Sequence, residues 1–110
     1  MKQYVIDQLR PEDHDRIQAY LKKNHSLGIM EDVFALVLKP DQLSEIQAAH
    51  KGCAPFYLAM ELEPDRLSCE LLVRAHKRVR CDCIAYATPA QRDLLIDFTD
   101  RMLEELGISV

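Results

Sequence analysis

Glycine is scarce in this chain, limited to Gly28, Gly52 and Gly107 among 110 residues. Each stands alone where a helix is expected to end, so the clustered glycines that cradle phosphates in dinucleotide fingerprints and P-loops are missing. Outside the C-terminal tail the serines are Ser26, Ser44 and Ser68, and none sits in a nucleophile elbow or triad context. Repeats and low-complexity segments are absent as well. The opening stretch from Met1 to Asp13 carries Lys2, Asp7, Arg10, Glu12 and Asp13 and so lacks the apolar run of a secretory signal or membrane helix. A cytoplasmic location without membrane attachment is therefore expected. There Cys53, Cys69, Cys81 and Cys83 stay reduced, and their irregular spacing is not that of a disulfide framework.

What is present is an ordinary globular balance. Hydrophobic residues make up 48% and charged residues 29%, enough to close a core without metals or disulfides as staples. The length predicts a single domain, 1–110. A formal net charge of −4 argues against general affinity for nucleic acid or anionic membranes.

The pattern along the chain predicts an α+β fold. A short strand is expected over 3–8, and Pro11 opens a helix over 11–24 with Ile17, Tyr20 and Leu21 as its apolar stripe. Residues 33–38 are nearly all apolar and read as a strand, with a helical turn as the alternative because so short a run has no decisive period. Pro40 opens a second helix over 40–51, with Gly52 placed as its left-handed terminal residue. Alternation of apolar and polar residues then predicts an antiparallel three-stranded β-meander over 56–62, 67–75 and 79–87. The N-terminal strands over 3–8 and 33–38 either extend this sheet or stand apart. A last helix over 89–106 is capped by Thr88, begins with Pro89, completes a capping box with Gln91 and ends at Gly107. Leu95, Phe98, Met102 and Leu106 mark its buried side.

Strand register can be tested because paired residues share a face. Setting Leu62 opposite Leu67 and Ala75 opposite Val79 gives rows of Met60, Cys69, Ala85, then Leu58, Leu71, Cys83, then Phe56, Val73, Cys81. All are apolar or cysteine, so the helices are expected on that face. The opposite face carries Tyr57, Leu72, Ile84 and Tyr86 among charged residues. It is either covered by residues 29–38 or forms a twofold homodimer interface.

The segment YVIDQLRPEDHDRIQAYL resembles the first strand and helix of GNAT-type acetyltransferases. That resemblance implies a coenzyme A pyrophosphate turn of the form Gln/Arg-x-x-Gly-x-Gly/Ala, and no such turn exists here.

Two further constellations carry chemistry. His50 and Cys53 form a His-x-x-Cys pair at a helix end, and Cys81 and Cys83 form a Cys-x-Cys pair on the third strand; together they could hold tetrahedral zinc. Burial of the cysteines among aliphatic rows is the competing account. Arg74, His76, Lys77, Arg78 and Arg80 gather at the hairpin tip, where Arg74 and Arg80 are expected to face each other. This patch suits an acidic protein or an anionic small ligand, whereas sequence-specific nucleic-acid recognition is not expected because no aromatics interleave with the charges. The sequence thus predicts a noncatalytic binding or self-association module, with a zinc-binding domain as the alternative and an enzyme of unrecognised class as the third reading.

Overall fold

The computed structural model describes residues 1–28 and 30–110, so Ile29, within the segment expected to cover the sheet, lies outside the described residues. The fold is α+β: β1 (Gln3–Ile6), α1 (Pro11–Asn24), β2 (Val33–Val37), α2 (Glu45–Ala49), β3 (Phe56–Glu63), β4 (Arg66–Ala75), β5 (Ala85–Tyr86) and α3 (Pro89–Leu106). Short 3-10 turns over Pro40–Gln42 and Lys51–Cys53 flank α2. The sheet is antiparallel in the order β1-β4-β3-β2, with β5 also paired to β4. Both N-terminal strands join it, one at each side of the β3–β4 hairpin. Among the described residues no helix is long and apolar enough to cross a membrane.

The long helices lie on one face of this sheet. Ile17 and Leu21 of α1 and Leu95, Met102 and Leu103 of α3 close on Phe34, Phe56, Leu58, Met60, Leu67, Cys69 and Val73 in one buried cluster. Fully burying a large aliphatic or aromatic side chain contributes roughly 1.5–3 kcal/mol, so this cluster is the principal support of the fold. The ends of α3 follow the sequence pattern: Thr88 Oγ1 accepts from the Gln91 N–H at 3.2 Å, and Gly107 adopts φ 70°, ψ 30°, which a left-handed cap requires.

The β3–β4 pairing begins as expected, with Leu62 opposite Leu67 and Met60 opposite Cys69. A bulge then places Leu58 opposite Val73 and Phe56 opposite Ala75, instead of Leu71 and Val73. The slip is by two residues, an even number, so side chains keep their faces although they change partners. The bulge also divides the outer edge of β4. β1 pairs with residues 67–70, and β5 with Leu72 and Val73. Between them Leu71 donates its N–H to Lys2 O at 3.1 Å and accepts from Ala87 N–H at 2.7 Å.

Two elements differ from their expected extent. The third meander strand is confined to Ala85–Tyr86, because the chain reverses at His76 and Lys77 through an Ala75–Arg78 bridge and then leaves the sheet. Val79 is 92% exposed and Cys83 fully buried. The alternation that suggested a strand there comes from cysteines turned inward between solvated residues, without ladder hydrogen bonds. The helix expected over 40–51 is broken into a 3-10 turn, the five-residue α2 and a second 3-10 turn. Ser44 restarts the chain as an N-cap, and Gly52 lies inside the second turn without a positive φ.

Candidate metal centre

Each half of the site is made by a turn that brings two side chains together. After α2, His50 accepts the Cys53 N–H on its carbonyl at 3.0 Å, closing the turn Lys51–Cys53. An i to i+3 turn of this kind sets residues 50 and 53 on the same side. In the loop between β4 and β5, Ile84 donates its N–H to Cys81 O at 3.0 Å, which folds Cys81, Asp82 and Cys83 into a second turn. The Cys83 N–H points back at the Cys81 sulfur.

The two turns face each other across more than two dozen residues of intervening sequence. His50 Nδ1 lies 3.1 Å from Cys81 Sγ, and Cys53 Sγ lies 3.9 Å from Cys81 Sγ. One donor atom from each of His50, Cys53, Cys81 and Cys83 falls within 4.8 Å of every other. For a tetrahedral zinc with bonds of about 2.3 Å to sulfur and 2.0–2.1 Å to nitrogen, the expected edges are about 3.8 Å between sulfurs and about 3.5 Å between sulfur and nitrogen. The observed sulfur–sulfur separation is close to its edge, and the observed sulfur–nitrogen separation is shorter than its edge. They are also far beyond the ~2.05 Å of a disulfide, and all four cysteines are free thiols. The four residues could therefore hold a metal ion.

Cys53 and Cys83 are buried, whereas His50 and Cys81 are half-buried and form the solvent side of the cluster. Hydrogen bonds set the two loop thiols apart. The Cys83 N–H, then the Cys83 side chain and His50, lower the Cys81 thiol to about 7. Burial pushes Cys83 up to about 12. A cation at the centre would favour the thiolate form of both.

Behind the cluster lies a buried pair of glutamines, Gln47 and Gln91, of which the sequence marked Gln91 as a helix cap and gave no sign of their pairing or their link to the site. Gln47 Oε1 accepts from the Ser44 N–H at 3.0 Å and from Gln91 Nε2 at 2.9 Å, while Gln47 Nε2 donates to Cys83 O at 3.4 Å. Gln91 Nε2 also donates to Gln42 O at 3.0 Å, and its Oε1 accepts from the Thr88 N–H at 3.1 Å. Two capping boxes thus meet back to back in the core and fix the Cys-x-Cys turn to both helix starts. The Ser44-x-x-Gln47 spacing was the available signal, masked by Pro40 as a competing helix start.

The remaining candidates are dispersed. Arg74 faces Tyr57 across the sheet and pairs with Glu70 at 2.8 Å, so it does not stand opposite Arg80. His76, Lys77, Arg78 and Arg80 are exposed on the turn leading into Cys81. Among the described residues Lys77, Arg78 and Arg80 make no ion pair. On the outer face Tyr57 is only 8% exposed, packed with Ala35, Ala59, Leu27 and Val33. Leu72 and Tyr86 pair at the sheet edge, and Ile84 packs against the helix-side cluster.

No family model, curated protein or solved structure matches this chain.

Proposed function

We propose that the chain is a zinc-binding domain in which His50, Cys53, Cys81 and Cys83 hold one structural Zn²⁺. The observation that carries this reading is the convergence of three thiols and an imidazole, from two separate turns, with all four donor atoms within 4.8 Å of one another. Three thiolates and an imidazole select zinc over hard cations, and four protein ligands leave no open position for a substrate. Burial alone accounts for Cys69, which sits in the core, but it does not explain why His50 turns its ring nitrogen toward Cys81.

The role of such an ion is positional. Zinc with three thiolates and one neutral histidine carries a net charge of about −1, and Lys51, Arg78 and Arg80 lie within three residues of its ligands. The ion joins the α2 segment to the loop that bears His76, Lys77, Arg78 and Arg80. The protein then works as a noncatalytic binding module that presents this cationic loop to an anionic partner.

Elemental analysis of protein purified without chelator tests the metal reading. About one zinc per chain is expected, lost on replacing Cys81 with Ala and unaffected by Cys69→Ala. Zinc below a tenth of an equivalent, with four thiols that react only after denaturation, would overturn it.

A further inference from the structure

We propose that Cys81 is a site of oxidation by hydroperoxides, and that its oxidation joins it to Cys53 in a disulfide that expels the metal. The inference rests on the zinc reading of the same four residues. Its basis is the unequal placement of the sulfurs. Cys53 is 7% exposed and Cys83 fully buried, leaving the half-buried Cys81 as the sulfur of the cluster that a small oxidant in solvent can reach. The Cys83 side chain also contacts the Cys81 sulfur, and Cys53 Sγ lies 3.9 Å away. Closing that gap to the ~2.05 Å of a disulfide requires side-chain rotation and a small shift of two turns whose intervening residues Lys51, Gly52 and Asp82 are exposed. Cys83 is the poorer partner, because its side chain is packed in the core and its carbonyl is held by Gln47.

The chemistry closes without a further reagent. The Cys81 sulfur attacks the hydroperoxide, an S–O bond forms and the O–O bond breaks, and the departing oxygen takes a proton from solvent to leave as water or an alcohol. Cys53 then attacks the Cys81 sulfur, an S–S bond forms and the S–O bond breaks, and the leaving hydroxide takes a second proton to become water. Two thiolates lose two electrons, one hydroperoxide gains them, and Zn²⁺ departs because two of its ligands are gone. The new bond joins the same two turns that the ion joined, so the loop stays attached to the α2 segment.

The test uses the native, reduced protein and hydrogen peroxide as probe. Zinc content is measured first, and its absence at that stage would overturn the zinc reading itself. With zinc present, one equivalent of peroxide is expected to release the metal to a chromogenic chelator and lower the titratable thiols under denaturing conditions from four to two. Peptide mapping should recover Cys53 linked to Cys81. Retention of zinc under peroxide, a Cys81–Cys83 link, or sulfinate at Cys81 without a cross-link would each overturn the inference while leaving the zinc reading intact.

Discussion

Four cysteines in one chain have two different fates, and the residues around each decide which. Cys69 lies on the helix side of β4 opposite Met60, fully buried, and burial pushes its thiol up to about 12 from an ordinary 9.0. A thiol raised in the folded state contributes stability that is intact below pH 9, where the unfolded thiol is still protonated. As pH rises from 9 to about 12 the unfolded chain gains the thiolate and the folded chain does not, so that stability is lost across this window. Chemical denaturation between pH 8 and 11 should show a steeper alkaline fall for the native protein than for Cys69→Ala. The variant itself should be less stable at neutral pH by about 1–3 kcal/mol, the scale of a small core truncation. Equal alkaline slopes in the two proteins would count against the account. This behaviour was legible from sequence, since Cys69 falls in a row of apolar residues. Cys81 and Cys83 fell in similar rows, and there the reading misled, because periodicity reports which side a residue faces and not whether a strand or a turn carries it there.

The same limit governs the elements. α1 and α3 were readable because their stripes are long and both begin with proline; α3 adds the Thr88 cap and Gly107 at its end, whereas α1 ends with His25 as its C-cap, short of Gly28, which was expected to stop it. The segment from Pro40 to Cys53 was not, since two helix starts four residues apart compete and the second wins by making its cap with Gln47, whose partner Gln91 lies far away in sequence. The β4 bulge was hidden for a related reason: a slip by two keeps every side chain on its face, so no charged residue lands in the core to betray it. The loop between Ala75 and Ala85 has few ties of its own, held by the Ala75–Arg78 bridge, the His76 N–H to Pro55 O bond, the Cys81–Ile84 turn and the bond from Gln47. A metal ion at its base would supply most of the rest. Chelation is therefore expected to loosen this loop and leave the helix-side core folded, since of that core's buried residues only Cys53 and Cys83 belong to the metal cluster. Limited trypsin digestion should cut after Lys77, Arg78 or Arg80 at least several-fold faster in the presence of chelator, with far-ultraviolet circular dichroism little changed. Cleavage at the same rate with and without chelator would mean that the ion does not hold the loop.

Taken over the whole molecule, charge is unevenly placed. The chain is acidic, with a net charge of −4, yet Lys77, Arg78 and Arg80 stand exposed and without ion pairs among the described residues. Arg74, by contrast, is neutralised by Glu70. Cations left free on a loop cost little in water, so their presence is compatible with simple solvation. They also set up a local positive field on an otherwise negative body, which repels other cationic surfaces and orients approach of an anion toward the loop. The two accounts differ in what salt and charge reversal do. A polyanion such as heparin should bind the native protein at low ionic strength and release as salt approaches physiological levels, where screening reaches about 8 Å. Arg78→Glu replaces +1 with −1 at the centre of the patch and should weaken that binding at least tenfold, while Glu104→Lys, a reversal on exposed α3, should not. Because Arg78 is exposed, its replacement should leave the thermal midpoint within about 2 °C of the native value. If native protein and Arg78→Glu bind the polyanion alike, the loop is a solvated turn and the anionic partner has to be dropped, whatever the metal analysis finds.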